Sequence, residues 1–205
     1  MKIEIDYSLP SYYFGCAALT ERSYKLLQGC CSGRRVVDLG CGGGELLRHL
    51  AEAQKPSYSI NAIGIDPHLE RTTADKSKGW MLSKSLWQDH EVGRLIANDT
   101  TVILSWPANT LDSAATASLI EHLRCAGRIV LIGSQTSGSV IGNRELWEFF
   151  TRRNLEHVIR QRLGCQFVAV YGRSSGLPGK HGPPLDARYQ EERCGITETL
   201  EDWAV

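Results

Sequence analysis

Residues 36–47 read Val-Val-Asp-Leu-Gly-Cys-Gly-Gly-Gly-Glu-Leu-Leu. The apolar run 35–39 has the length and β-branched content of a buried strand, and it stops at glycines 40, 42, 43 and 44. Beyond them Leu46, Leu47, Leu50 and Ala51 recur at helical spacing, which predicts a helix over 45–54. A second apolar run, 60–65, ends at Asp66-Pro67. Strand, glycine turn, helix and strand make a βαβ unit, which implies a parallel sheet with a right-handed crossover.

The same alternation extends outward. Upstream, Leu19, Leu26 and Leu27 supply a buried face for a helix over 17–28. Downstream, strands are predicted near 80–82 and over 101–104 and 128–132, with helices over 87–96, 113–124 and 145–153. The last two strands, 158–162 and 166–171, are separated only by Leu163-Gly164-Cys165. So tight a connection permits an antiparallel hairpin and excludes a crossover. The expected fold is therefore α/β and Rossmann-like: a mainly parallel seven-stranded sheet closed by an antiparallel C-terminal hairpin. It is expected as a single domain over 1–205, with its core at about 30–173 and a loop and acidic tail over 174–205.

A ligand that meets the sheet at the end of strand 35–39 needs backbone without side chains in its way. Gly40, Gly42, Gly43 and Gly44 provide that and tolerate positive φ. Asp66 lies 22 residues beyond Gly44, at the end of the next strand. A carboxylate there accepts from both ribose hydroxyls of an adenosine ligand. The dinucleotide fingerprint G-x-G-x-x-G/A fails, because its third small residue would be Glu45 or Leu47. An NAD-dependent oxidoreductase is disfavoured on that spacing and on the hairpin.

Asp38-Leu39-Gly40-Cys41-Gly42-Gly43-Gly44 resembles motif I, (D/E)-x-G-x-G-x-G, of the class I S-adenosylmethionine (SAM)-dependent methyltransferases. Asp66 resembles the acidic residue of that superfamily's second motif. The resemblance spans about residues 35–171 and accounts for the final hairpin as the superfamily's last two strands. It implies SAM as cofactor, with its methionine part on the glycine turn (Gly40, Cys41, Gly42, Gly44), its ammonium near Asp38 and its ribose on Asp66. The acidic residue that often follows the third strand in this superfamily is replaced by Ser83-Lys84-Ser85, leaving backbone or Ser83 for the adenine. Tyr7-Ser8-Leu9-Pro10, Ser105-Trp106-Pro107 and Val170-Tyr171-Gly172-Arg173 are similar to a poorly characterised subgroup with a Trp-Pro-Pro fourth strand. Here Ala108 stands in place of the second proline.

In such a fold the methyl acceptor sits beyond the fourth strand, so Ser105 and Trp106 are the candidate acceptor-side residues, with Ser105 also within reach of the cofactor. Trp106 is either a platform for the acceptor or a core residue. Tyr12, Tyr13 and Phe14 either staple the first helix to the sheet or cap the pocket. Methyl transfer from a sulfonium needs alignment above all, and a general base only if the acceptor must lose a proton. The acceptor itself, small molecule or polypeptide, is not specified by any residue pattern. A SAM-fold protein without activity, serving as an interaction module, is the alternative of a different class.

Lysine plus arginine equals aspartate plus glutamate at 23 each, so no global field favours nucleic acid or an anionic membrane. Residues 144–188 nevertheless carry eight basic and four acidic side chains, and 189–205 one basic and five acidic. That pattern arises by chance and solubility, or it lets the acidic tail fold back over the basic stretch. Seven irregularly spaced cysteines without CxxC, and six histidines without an HxxxH pair, give no expectation of a disulfide framework or a metal site. With no apolar run near the roughly 18 residues that span a bilayer and no signal-like N-terminus, a cytoplasmic location is expected.

Overall fold

The computed structural model describes residues 1–53, 61–86, 89–105, 107, 112–134, 143–163 and 166–173. Along the chain the elements are β1 (Lys2–Asp6), β2 (Tyr12–Phe14), β3 (Ala17–Leu19), α1 (Glu21–Cys31), β4 (Arg35–Leu39), α2 (Glu45–Ala53), β5 (Ala62–Ile65) and β6 (Thr73–Asp75). There follow β7 (Trp80–Ser83), α3 (His90–Leu95), β8 (Thr100–Ser105), α4 (Ser113–Cys125), β9 (Arg128–Ser134), α5 (Arg144–Thr151), β10 (Asn154–Gln161) and β11 (Gln166–Gly172).

The main sheet runs β1-β10-β11-β9-β8-β4-β5-β7-β6. From the central β4 the chain steps one way through β5 to β7, then returns to the other side of β4 at β8 and continues to β9. β11 lies antiparallel between β9 and β10, the C-terminal hairpin expected from the short connection. This is the Rossmann-like α/β architecture, a mainly parallel sheet closed by an antiparallel hairpin. The expected seven strands become nine, because β1 adds in parallel to the β10 edge and β6 adds antiparallel to the β7 edge.

Alternate residues of the central strands feed two separate cores. Val37, Leu39, Ile63, Ile65, Val102 and Leu104 face α3, α4 and α5, whereas Val36, Ala62, Ile103 and Val130 face α1 and α2. Burial on both faces explains why these strands read as continuous apolar runs.

The first helix departs from expectation by starting at Glu21 instead of residue 17. Thr20 caps it, its side chain accepting from Ser23 N–H. Ala17–Leu19 instead pairs with Tyr12–Phe14 as a two-stranded hairpin. That hairpin carries the aromatic cluster onto the helices: the Tyr12 ring stacks on Tyr24 of α1 at 4.3 Å, and Phe14 packs on His49 of α2 at 5.2 Å. Tyr13 remains exposed. Of the helix expected over 87–96, the described residues show His90–Leu95 as helical. The loop and acidic tail over 174–205 lie outside the described residues. Among the described residues, no helix is long and apolar enough to cross a membrane.

Candidate functional site at the end of the central strands

Strand order reverses between β4 and β8, and open α/β sheets form a crevice beyond the carboxyl ends of such a pair. The glycine turn follows β4, Asp66 follows β5, Ser83 ends β7 and Ser105 ends β8. The topology thus gathers at one sheet end residues that are scattered over nearly seventy positions.

The turn is built from backbone hydrogen bonds. Gly40 and Cys41 N–H donate to the Ile65 carbonyl at 2.8 and 3.3 Å, and Gly44 N–H donates back to the Cys41 carbonyl at 2.9 Å. Gly40, Gly42 and Gly44 have φ of 77°, 53° and 73°, a region that side chains with a Cβ disfavour. A Cβ on Gly44 would collide with the Leu82 methyls, Cδ1 lying 2.7 Å away. At Gly42 and Gly43 a Cβ would meet nothing within 4 Å, so the outer edge of the turn faces open space. The two kinds of glycine are separable by mutation. Gly44→Ala is expected to destabilise the fold by about 2–4 kcal/mol through strain and overlap, and Gly43→Ala by under about 1 kcal/mol. Urea denaturation of the two variants measures the difference.

Sequence reasoning missed Gly64, inside β5. A Cβ there would approach Cys41 Sγ to 2.7 Å and Leu82 Cδ2 to 2.8 Å, so Gly64 lets the turn lie close over the sheet. An isolated glycine within a strand is the sequence signal for such a close backbone approach.

Asp66 is only 7% exposed, and its carboxylate is already engaged. One oxygen accepts from Gly42 N–H and the other from His68 N–H, each at 2.8 Å. Its own N–H donates to the Ser83 carbonyl at 3.2 Å, which ties β7 to the same cluster. Asp66 therefore clasps the glycine turn. The Ser83 and Ser85 hydroxyls lie 3.0 Å apart.

Asp38 is buried on β4, and its Oδ1 has no hydrogen-bond partner among the described residues. Burial, reinforced by the Asp66 charge, pushes its carboxyl up to about 7. Ser105 Oγ is likewise buried, with no partner among the described residues. Leu39 pairs in register with Leu104, so Ser105 stands one step beyond it, level with the start of the turn. Two orphaned polar atoms on adjacent strands, beneath a turn with open space at its edge, make a site suited to a cationic, hydrogen-bonding ligand. Cys41, in the turn, has its thiol pushed up by burial first and the two aspartates next, so it is no thiolate nucleophile.

Trp106 and Ala108 lie outside the described residues, although Pro107 is buried. Arg173 and His157 fall elsewhere. Arg173 follows β11 at the opposite end of the sheet, and His157 Nε2 lies 2.6 Å from Glu4 between β10 and β1. Among the described residues, no group of three histidine, cysteine, aspartate or glutamate side chains is arranged to hold a metal ion.

No protein-family model matches the chain, and no curated protein does. Solved structures do resemble it. One is a 16S rRNA (adenine(1408)-N(1))-methyltransferase from Catenulisporales acidiphilia, 14% identical, covering 82% of this chain and 98% of that one with a TM-score of 0.48. A magnesium protoporphyrin IX methyltransferase from Synechocystis PCC 6803, with S-adenosylhomocysteine bound, is 15% identical and covers 74% of this chain and 79% of its own, TM-score 0.48. The antibiotic-resistance methyltransferase Kmr is 18% identical and covers 77% and 96%, TM-score 0.45. The functional reading rests on this chain's own strand order and site geometry.

Proposed function

We propose that the chain is a SAM-dependent methyltransferase that binds its cofactor across the glycine turn, between Asp38 and Asp66. The observation that carries this reading is the buried Asp38 carboxyl, whose Oδ1 has no partner among the described residues, beside a turn whose outer edge is open. A carboxyl held near neutrality by burial lacks a counter-charge, and the ammonium of SAM is one. Asp66 has lone pairs left after its two backbone bonds, since each carboxylate oxygen accepts more than one donor, and these serve the ribose hydroxyls. Open space at Gly42 and Gly43 leaves room for the methionine part of the ligand.

When bound, SAM supplies an activated methyl group for in-line displacement by a nucleophile. The protein's part would be to hold the acceptor in line with that methyl group and to shield the pair from water. Ser105 Oγ, at the end of β8 and without a hydrogen-bond partner among the described residues, would orient the acceptor or the cofactor's amino-acid part. The acceptor is a small molecule or a polypeptide side chain, and Trp106 is retained as a candidate for its platform.

The test is ligand-dependent thermal stability. S-adenosylhomocysteine at about 100 times its dissociation constant should add roughly 2.7 kcal/mol. For a domain of this size that raises the melting temperature by about 5–10 °C. NAD at the same concentration should leave it unchanged. A shift with NAD and none with S-adenosylhomocysteine overturns the reading.

A further inference from the structure

A second cavity runs along α4 and α5 toward the end of the sheet opposite the glycine turn, and cofactor binding makes no use of it. It encloses about 490 Å³ and is lined by Ile120 and Arg124 of α4, Glu145, Glu148 and Phe149 of α5, and Arg152, Arg153 and Arg173. β9 and β10 begin at this end of the sheet and β11, antiparallel, finishes there. β9 has seven residues, which puts this end about 20 Å from the crevice.

Four guanidinium groups border the cleft against two carboxylates, and both carboxylates are already engaged. Glu148 pairs with Arg144 at 2.9 Å, and Glu145 accepts from the Ser113 hydroxyl at 3.1 Å. Among the described residues, no carboxylate pairs with Arg124, Arg152, Arg153 or Arg173. Arg153 is the informative member. It is only 8% exposed, an unusual place for a charge without a carboxylate. Its Nη2 donates to the Ala126 carbonyl at 3.0 Å, and its guanidinium carbon sits 5.9 Å from the centre of the Phe149 ring. Its Nε is buried with no acceptor. Burial, and then the like charge of Arg173, weaken its hold on the proton, offset in part by Glu156, whose carboxylate is paired with Arg128. Arg153 is held in place by Ala126 and Phe149 and lies near enough to Arg173 to feel its charge, and a fixed guanidinium among other arginines is the group that recognises a phosphate. Ile120 and Phe149 add an apolar wall for the body that carries it.

We propose that this cleft binds a phosphorylated small molecule, with Arg153 and Arg173 holding the phosphate and Arg124 and Arg152 at its rim. The site is independent of the cofactor crevice.

Calorimetric titration of the full chain with sodium pyrophosphate, at ionic strength held constant with sodium chloride, tests it. Saturable one-site binding is expected. Arg173→Gln and Arg152→Gln should each weaken it about tenfold or more, since hydrogen bonds to a charged group carry that much affinity. Both positions are exposed, so these variants keep the fold. Arg153→Lys keeps the charge but removes the planar donor edge, and it should weaken binding as well. Arg94→Gln on α3, an exposed arginine paired with Glu91, is the control and should change nothing. No saturable heat overturns the proposal. So does equal weakening by Arg94→Gln, or binding that survives both cleft variants.

Discussion

Asp38→Asn is expected to make the unliganded protein more stable while removing most of its affinity for S-adenosylhomocysteine. The Asp38 carboxyl rises from 3.8 to about 7 on folding, because it is buried on β4 and lies near the Asp66 charge. An acid with a higher pKa in the folded state binds more protons when folded than when unfolded between those two values. Stability therefore falls as pH rises from about 4 to about 7 and is level above that. At pH 8 a neutral asparagine of the same shape should recover about 2–4 kcal/mol of this penalty, or about 5–15 °C in melting temperature. Near pH 4 the gain should shrink to under about 1 kcal/mol, because the aspartate is then largely protonated when folded. Ligand affinity moves the opposite way: loss of a charged partner for the ammonium should weaken it about 10- to 150-fold. Wild-type affinity should also rise with pH through about 7. Melts at pH 4 and 8, with titrations on the same samples, measure all of this. An asparagine variant no more stable than wild type at pH 8 contradicts the account of Asp38.

Asp66→Ala should lower both stability and binding. The substitution strands the Gly42 and His68 amides, each of which gives a 2.8 Å hydrogen bond to the carboxylate. Bonds to a charged acceptor contribute about 1.5–3 kcal/mol each. Rehydration of the exposed Gly42 amide and relief of the repulsion on Asp38 offset part of that, leaving a net cost of about 1–3 kcal/mol. The melting temperature should fall by about 3–10 °C. S-adenosylhomocysteine binding should weaken about 10- to 150-fold. Asp66→Asn, which keeps one carbonyl acceptor, should fall between the variant and wild type in both respects. A variant that melts with wild type but has lost binding would show that the clasp on the turn carries no stability.

The second case marks where sequence reading stops. Asp66 is recognisable as the acidic residue after the second strand of a βαβ unit, because periodicity and turn chemistry are local. Its bonds to Gly42 and His68 follow from how the turn folds over β5, and no spacing encodes them. The C-terminal hairpin was legible for the same local reason, since three residues cannot cross a sheet. The β2–β3 hairpin was not. Its strands have three residues each, and much of what fixes them comes from the other end of the chain. Gln166 accepts from Ala18 N–H and donates to the Cys16 carbonyl, while Gln161 accepts from Thr20 N–H and donates to the Ala18 carbonyl. Without those partners Ala17–Leu19 carries a helical pattern, and tertiary hydrogen bonding overrides it. β1 was missed on similar grounds. Ile3 and Ile5 are exposed, so the strand has little apolar signature and is defined by its pairing with β10. The arginines of the far cleft come together from the last turn of α4 and from just beyond α5 and β11, and the excess of basic residues over 144–188 hinted at three of them.

The most direct measurement is a crystal structure of the chain with S-adenosylhomocysteine. The account predicts the ligand beyond the ends of β4 and β5, with its ammonium on Asp38, its ribose hydroxyls on Asp66 and its amino-acid part along Gly42 and Gly43. A ligand bound anywhere else, or a crevice that admits NAD in its place, would contradict it.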